Sequence, residues 1–180
     1  MKKIVSLLLS FVMLLSLFAC GEGGLSLKGG SSNDKEGYIG DTLSTYWFDF
    51  TVDDAYSCAS YHDYTAAAGS KLVVVRMTLK NDCGASVDMW GDDFVLLWET
   101  GNDDDDVDMA VALPAGLSDE QFPDEYTLGI NQSKSYAAVY EVPEGYRDFA
   151  VAFMEIFESD SDPEGETGDT FFVYFTPEEK

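Results

Sequence analysis

The feature that most constrains the fold is an alternation of apolar and polar residues along most of the chain. Residues 48–53 read FDFTVD and residues 72–80 read LVVVRMTLK, so every second side chain is apolar in each run. Successive side chains of a β-strand point to opposite faces of the sheet, so a period of two is typical of half-buried strands. Further runs of this kind lie at 94–98, 109–113, 136–142, 149–153 and 171–175. The pattern predicts an all-β chain, an antiparallel β-sandwich of about seven strands.

Composition and turn residues support one folded unit over residues 38–180. The chain is 46% hydrophobic, which is enough to build a core. Clusters of Asn, Asp, Pro and Gly separate the alternating runs, as turns require. Helix signals are scarce. The stretch 118–121 reads SDEQ, a capping-box pattern, but Pro123 soon ends it.

The first twenty residues have the features of a bacterial lipoprotein signal peptide. A basic start precedes an uncharged apolar run at residues 4–19. Sixteen helical residues span roughly 24 Å, short of the ~30 Å hydrocarbon core, which favours a cleaved signal over a permanent membrane helix. Leu17-Phe18-Ala19-Cys20 resembles a lipobox, in which the small Ala19 suits cleavage and the Cys20 thiol accepts diacylglycerol. Residues 1–19 are predicted as the signal peptide and Cys20 as the lipidation site. An ordinary secretory signal with an incidental Cys is the alternative.

Charge and composition predict how the domain is held at the membrane. Residues 20–37, rich in Gly and Ser, are predicted as the lipidated Cys and a flexible spacer. The chain has a formal net charge of -24 at pH 7, which repels both nucleic acid and anionic headgroups. We therefore expect an extracytoplasmic protein, lipid-anchored to the bacterial cell membrane, with no nucleic-acid partner. The same charge favours a basic protein or peptide as a partner.

Three stretches of the predicted domain carry a family resemblance. Residues 71–82, KLVVVRMTLKND, form a long hydrophobic strand that runs into Asn81. Residues 93–97, DFVLL, follow as a second strand, and residues 128–145 form a late hairpin that contains Val142-Pro143. These stretches resemble a bacterial family of secreted, immunoglobulin-like domains of unknown function. Members of that family are often lipoproteins and are sometimes mislabelled as telomeric repeat-binding factors.

The resemblance covers about residues 40–175 and has consequences for the fold. It implies an immunoglobulin-like β-sandwich without catalytic residues, and it implies little about a ligand, because a fold does not fix a function. The sequence departs from the family in one turn. Where the family has Pro-Gly before the late strand, this chain has Ile130-Asn131.

The densest acidic run, NDDDDVD at residues 102–108, is the candidate metal site. Carboxylates suit Ca²⁺, and the candidate ligands are Asp104, Asp106 and Asp108. The run is not an EF-hand, because counting from Asp104 puts Met109 where the loop needs Gly. The alternative is a solvated, self-repelling loop, and it applies equally to the acidic residues 158–162. No cofactor other than calcium is considered.

The candidate ligand-binding residues are aromatic and lie early in the chain: Tyr46, Trp47, Tyr61 and Tyr64. Trp47 alternates away from the apolar stripe that begins at Phe48, so it is expected on the opposite face of its sheet. Exposed Tyr and Trp side chains favour protein interfaces and stacking on sugars. The alternative is that these rings cover the edge or second face of the sandwich.

Signals for catalysis are weak. His62 neighbours Asp63, but adjacent residues on an extended chain point in opposite directions, so we expect His62 to be a loop residue. The sequence contains no G-x-S-x-G, H-E-x-x-H or C-x-x-C motif. We therefore expect a non-enzymatic binding or protein-interaction module with no catalytic residues. A carbohydrate-binding module, with calcium on the acidic run, is the alternative, and a small hydrolase with paired carboxylates is the third reading.

Two cysteines remain after Cys20, and outside the cell an even number invites a disulfide. Cys58 follows one predicted strand and Cys83 follows the next. If these strands are antiparallel, about twelve residues at ~3.3 Å each separate the two cysteines by about 40 Å, whereas a bridge needs Cα atoms within ~7 Å. Only a fold-back of the intervening loop would allow a bridge, so the pairing stays open.

Overall fold

The computed structural model describes residues 34–101, 107–159 and 162–180, with no side-chain description for 158, 159 and 162–164. The predicted signal peptide, Cys20, most of the spacer, Asp104 and Asp106 lie outside the described residues. The strands in chain order are β1 (Asp34–Tyr38), β2 (Thr42–Ser44), β3 (Asp49–Cys58), β4 (Ser60–Tyr61), β5 (Tyr64–Thr65), β6 (Ser70–Lys80), β7 (Val87–Trp90), β8 (Val95–Glu99), β9 (Val107–Val111), β10 (Glu125–Leu128), β11 (Ser133–Pro143), β12 (Phe149–Ser159), β13 (Asp162–Phe175) and β14 (Glu178–Glu179).

Two five-stranded sheets form the layers of a sandwich. Sheet A has the order β1-β13-β12-β8-β9. Sheet B has the order β11-β6-β3-β14, with β2 also paired to β3. Strands β7 and β10 form a separate two-stranded ladder, and β4 and β5 form a hairpin. The long strands β6 and β11 pair in antiparallel register from Ser70 opposite Pro143 to Lys80 opposite Ser133.

The main core lies between the two sheets, where the alternation places every second side chain. Sheet B contributes the predicted stripe of β6, and sheet A contributes matching stripes from β8, β12 and β13. All of these side chains are at most 7% exposed: Val73, Val75, Met77, Leu79, Leu96, Phe149, Val151, Phe153, Phe171 and Val173. The predicted all-β sandwich is therefore confirmed.

A buried hydrogen bond joins the two layers. The hydroxyl of Tyr140, on β11, donates to the carbonyl oxygen of Phe94, just before β8, at 3.1 Å. Tyr140 is fully buried, and this burial raises the pKa of its hydroxyl. The bond satisfies a polar group that would otherwise be costly inside the core.

Asn81 ends β6 as a buried side chain whose amide is fully used. Its amide nitrogen donates to the carbonyl oxygens of Ala85 and Leu128, each at 2.8 Å. Its side-chain oxygen accepts the backbone N–H of Cys83 at 2.9 Å. These three bonds close the turn after β6 and tie it to the end of β10, which gives a physical role to the Asn in the family resemblance.

The outer face of sheet B is covered by chain segments after β3 and after β9. Leu72, Val74 and Val139 face outward and are fully buried. Around them pack residues of the β4–β5 hairpin and of the stretch after β9, including Tyr61 and Leu113. That stretch also pairs with the edge of β11, since the N–H of Leu113 donates to the carbonyl of Val139 at 2.7 Å.

Several details differ from the prediction. Two edge pairings are parallel, β1 with β13 and β14 with β3, and short edge strands raise the strand count above seven. Residues 34–37, assigned to the spacer, belong to β1 and pair with β13. The helix candidate at 118–121 is a turn, closed by the N–H of Gln121 to the carbonyl of Ser118 at 3.2 Å. It does not propagate because Gln121 bridges to Ala137 on β11 instead. Across the part of the chain that the structure describes, no helix combines the length and hydrophobicity that crossing a membrane needs.

The cysteines lie where the antiparallel geometry placed them. Cys58 ends β3 opposite Leu72, near the start of β6, whereas Cys83 follows the far end of β6. Both are free thiols, so the loop between the strands does not bring them together. Burial raises the pKa of the Cys58 thiol.

Candidate interaction surface

Three aromatic rings from distant parts of the chain form a cluster at one end of the sandwich. Tyr46 and Trp47 lie in the turn between β2 and β3, and Phe157 lies on β12. The Phe157 ring centroid is 5.3 Å from that of Tyr46 and 5.0 Å from that of Trp47, and the Tyr46 and Trp47 centroids are 5.6 Å apart. Tyr46 is 71% exposed and Phe157 is 37% exposed. We call Tyr46, Trp47 and Phe157 the aromatic platform.

Trp47 supports the platform from below. It is half-buried and packs against the main core, so it does not lie on the opposite side of the sheet from the stripe of Phe48, as its alternation predicted. The prediction was wrong because Trp47 precedes β3 and sits in a turn, where strand alternation does not apply. Its ring joins the exposed Tyr46 to the interior.

The turn that carries Tyr46 and Trp47 is fixed by Thr45. The Thr45 hydroxyl oxygen accepts the backbone N–H groups of Trp47 at 3.1 Å and Phe48 at 3.0 Å, and the hydroxyl donates to the Phe48 carbonyl at 2.8 Å. A Thr side chain that bonds the backbone two and three residues ahead holds a turn in place. The platform therefore rests on a defined local structure.

A buried carboxylate fastens this turn to sheet A. Glu155 on β12 is only 5% exposed. Its carboxylate accepts the backbone N–H of Tyr46 at 2.6 Å and the backbone N–H of Asp169 at 3.1 Å. Buried charge is tolerated when such hydrogen bonds satisfy it. One side chain thus joins the β2–β3 turn to both strands of the β12–β13 hairpin.

A β-bulge makes room for the Glu155 side chain. Met154 pairs with Thr170 and Ile156 pairs with Thr167, so Gly168 and Asp169 together oppose Glu155. A Cβ atom on Gly168 would lie 2.5 Å from a ring carbon of Phe157 and 2.7 Å from a carboxylate oxygen of Glu155. Only glycine fits, because both the platform and its anchor pack directly against this backbone.

The other two predicted ligand-binding residues lie elsewhere. Tyr61 and Tyr64 belong to the β4–β5 hairpin, which follows the opposite end of β3. Ten residues of β3 separate this hairpin from the platform, or roughly 30 Å of strand. Tyr61 is buried and shares a 2.8 Å hydrogen bond with the hydroxyl of Ser118. The structure therefore brings Tyr46 and Trp47 together and places Tyr61 and Tyr64 apart from them.

Tyr64 and Glu141 form the polar contact of that second region. The Tyr64 hydroxyl donates to Glu141 at 2.6 Å, and the backbone N–H of Ala67 donates to the other carboxylate oxygen at 2.8 Å. The hydrogen bond from Tyr64 lowers the pKa of Glu141, and the same bond raises the pKa of the Tyr64 hydroxyl. Since Tyr64 is already committed to Glu141, its role here is to hold the hairpin against β11.

The remaining predicted site residues are separate from the platform. Asp108 is exposed on β9, where it pairs opposite Trp98. Among the described residues, no group of three or more His, Cys, Asp or Glu side chains is arranged to hold a metal ion. His62 lies in the β4–β5 turn with a φ of 51°, as expected for a loop residue, and its ring contacts Tyr61 edge-on.

Sequence reasoning missed Glu155, Phe157 and Gly168, although one signal was present. The alternation of Phe149, Val151 and Phe153 continues inward to position 155, where a Glu interrupts it. A charged residue at a position that should face the core requires buried donors. That interruption pointed to a bonded carboxylate, but it did not reveal which donors would reach it.

Comparisons with solved structures find the same fold at low sequence identity. The yjhA protein of Bacillus subtilis matches 80% of this chain and 99% of its own, at 15% identity and a TM-score of 0.56. A "putative lipoprotein" of the same species, ycdA, is 17% identical with a TM-score of 0.51, over 73% of this chain. The matched region spans only 38% of ycdA. A "putative lipoprotein" of Staphylococcus aureus is 12% identical with a TM-score of 0.50, over 79% of this chain and 96% of its own.

These likenesses establish the fold and nothing finer. No family model matches the chain, and no curated protein matches it. Two of the three solved structures are named as lipoproteins and share the β-sandwich architecture. The resemblance to the immunoglobulin-like secreted domains stays a prediction.

Proposed function

We propose that this protein is a lipid-anchored, extracytoplasmic lipoprotein whose β-sandwich binds a partner and performs no chemistry. The observation that carries the binding role is the aromatic platform. Tyr46 is the most exposed of the large hydrophobic side chains in the described residues, and it is nonetheless held in place by a buried carboxylate. A preorganised aromatic group loses little conformational freedom on binding, as interface anchors require.

The anchoring part of the proposal rests on the sequence. Leu17-Phe18-Ala19-Cys20 provides the lipobox, and the names of two structural neighbours are in keeping with it. Metabolic labelling with palmitate tests it. The label should appear on the purified wild-type protein and be absent from Cys20→Ala, and mass spectrometry should find the mature N-terminus at Cys20. An unlabelled wild-type protein, or a mature N-terminus elsewhere, would refute lipid anchoring.

A basic protein or peptide is the partner that the charge favours. The chain carries -24 formal charges, which attract cations over several ångströms of solution. On the platform, an Arg or Lys side chain can lie against the rings of Tyr46 and Trp47, where cation–π attraction adds to the long-range field. Such binding should weaken steeply as salt is added, since exposed charges are screened beyond a Debye length of ~10 Å at 0.1 M.

Titration with a basic peptide tests the platform directly. An Arg/Lys-rich peptide should bind the wild-type protein, and a matched Asp/Glu-rich peptide should not. Tyr46→Ala should weaken binding at least tenfold. The control is Tyr38→Ala, because Tyr38 is 67% exposed but lies on β1, beside Tyr174. Equal effects of the two substitutions would mean that binding is only electrostatic and would refute the platform as the site.

Carbohydrate binding is the second candidate function, favoured by the 71% exposure of Tyr46 next to two further rings. Stacking of sugar rings on aromatic faces would use the same platform. Neutral oligosaccharides, titrated with and without a calcium chelator, separate this candidate from the first. Saturable binding of a neutral sugar that Tyr46→Ala abolishes would support it, and loss of that binding with chelator would add calcium.

A further inference from the structure

The outer face of sheet A, away from the core, is a second apolar surface. Leu97, Ala150, Ala152, Phe172 and Tyr174 form a cluster on this face, separate from the main core. None of the five is more than 6% exposed. We call these five residues the outer apolar face.

The face has the shape of a shallow groove. Ala150 pairs with Leu97 on one side and with Tyr174 on the other, and Ala152 is flanked by Phe172 in the next rung. The small alanines of the central strand β12 therefore form a floor, and bulky side chains of β8 and β13 form its walls. An apolar sheet face of this kind needs a second layer to keep it from water.

The described residues do not supply that layer. The described hydrophobic side chains packed against the cluster are Val95, Val107 and Met109, and all three belong to β8 and β9 of the same sheet. Residues 102–106, NDDDD, and 158–164, ESDSDPE, are poor candidates because burying their carboxylates on an apolar floor is costly. The cover must therefore be sought before Asp34.

The chain enters the fold beside this face. Asp34 begins β1 at the edge of sheet A, paired with Thr170, two residues from Phe172. Residues 21–33, which we call the tether, read GEGGLSLKGGSSN and contain two apolar side chains, Leu25 and Leu27. They are two positions apart, so both point to the same side of an extended segment.

The tether is long enough to reach the groove. Central strand β12 lies two strands from β1, or about 10 Å, and a packed layer lies about 10 Å above the sheet. Leu27 precedes Asp34 by seven residues, which span up to roughly 23–25 Å when extended. The Gly-Gly pair at 29–30 allows the chain to turn back over the sheet.

We propose that Leu25 and Leu27 of the tether pack into the groove floored by Ala150 and Ala152 and cover the outer apolar face of sheet A. Residues 4–19 are more apolar, but they belong to the predicted signal peptide, which the mature chain lacks. Docking would leave only residues 21–24 free between Cys20 and the sandwich. The domain would then sit close to the membrane in a fixed orientation, a consequence that rests on the proposed lipidation, whereas docking itself does not.

The test uses the chain from residue 20 to 180 with Cys20→Ser, which removes the lipid acceptor. Methyl NMR should show NOEs from Leu25 or Leu27 to the methyl groups of Ala150 or Ala152. The double substitution Leu25→Ser, Leu27→Ser should abolish them, raise the fluorescence of the apolar dye ANS several-fold and lower the melting temperature. The matched control, Ser31→Ala with Ser32→Ala in the same tether, should change neither fluorescence nor melting temperature.

Other occupants of the face would give different results, and each would overturn the proposal. If dye binding is low only when residues 1–19 are retained, the apolar run is the cover. If the double leucine variant binds little dye and sedimentation velocity shows a dimer, a second copy covers the face. Absence of the NOEs together with equal dye binding by wild type and double variant would also refute tether docking. None of these results bears on Cys20 lipidation, which the palmitate experiment tests separately.

Discussion

The carboxylate of Glu155 accepts a hydrogen bond from the backbone N–H of Tyr46 at 2.6 Å, although 109 positions separate the two residues. Glu155 lies on sheet A, and Tyr46 lies in the turn that leads into sheet B. This bond therefore links the two layers at one end of the sandwich. It also places the exposed ring of Tyr46 next to Phe157, which lies two residues beyond Glu155 on the same strand.

Removal of the Glu155 carboxylate should loosen this end of the sandwich. Glu155→Ala leaves the buried N–H groups of Tyr46 and Asp169 without their acceptor, so we expect the free energy of unfolding to fall by about 2–3 kcal/mol. Urea unfolding followed by circular dichroism measures the change. Glu120→Gln is the control, because Glu120 forms an exposed ion pair with Arg76 and should cost under about 0.5 kcal/mol. Similar losses for both variants would contradict the anchoring role.

Gly168 should tolerate no side chain. Gly168→Ala places a Cβ within 2.7 Å of both Phe157 and Glu155, so the strands must shift, and we expect a loss of about 2 kcal/mol or more. Gly145→Ala is the matched control, since a Cβ there meets no atom within 4 Å. Thermal unfolding of the two variants decides the point. A neutral Gly168→Ala would mean that the bulge does not pack as described.

Asp93 should make stability fall as pH rises through weakly acidic values. Burial raises the pKa of this carboxyl from 3.8 to about 6, against the lowering effect of its bond from the Trp90 N–H. Between these two values the folded protein holds a proton that the unfolded chain has lost. Stability is therefore greater near pH 4 and declines toward pH 6, by up to about 3 kcal/mol at ~1.4 kcal/mol per pKa unit.

The substitution Asp93→Asn separates this local effect from general acidity. It keeps an acceptor for the Trp90 N–H but removes the buried charge, so it should stabilise the protein at pH 7 and flatten the profile between pH 4 and 6. Asp92→Asn, at the exposed neighbouring position, is the control for loss of one negative charge. Parallel profiles for wild type and Asp93→Asn would show that Asp93 does not titrate in this range.

Asn131 should be replaceable by glycine but not by a β-branched residue. Its φ of 58° lies in the left-handed region, which Asn and Gly adopt far more readily than other residues. Asn131→Val should lower the free energy of unfolding by about 1–2 kcal/mol, whereas Asn131→Gly should stay within about 0.5 kcal/mol. Denaturant titration of the pair measures both. Equal stabilities would show that the turn can relax to an ordinary conformation.

The same turn explains how the chain departs from the family that it resembles. The family has Pro-Gly before its late strand, and this chain has Ile130-Asn131. Because Asn131 supplies the positive φ, the connection between β10 and β11 keeps its tight geometry without glycine. The departure in sequence is therefore compatible with the same local backbone.

Local patterns carried much of the fold. The period-two stripe of β6 predicted which side chains face the core, and the order of the strands around Cys58 and Cys83 predicted that the thiols lie far apart. The parallel pairings of β1 and β14 were not predictable in this way, since alternation gives no information about which strand lies beside another. The same holds for Trp47, which an extrapolated alternation placed wrongly because the turn at Thr45 interrupts the strand.

The sequence by itself determined that this chain forms a layered β structure, and it specified the inward-facing residues of the long strands. Tertiary structure alone decided that Tyr46 and Trp47 meet Phe157, and that Tyr61 and Tyr64 lie at the far end of β3. The physical reason is that side-chain direction follows from the geometry of each strand, one residue at a time. Contacts between distant segments depend instead on how the sheets pair and where a bulge, such as that at Gly168, admits a buried group.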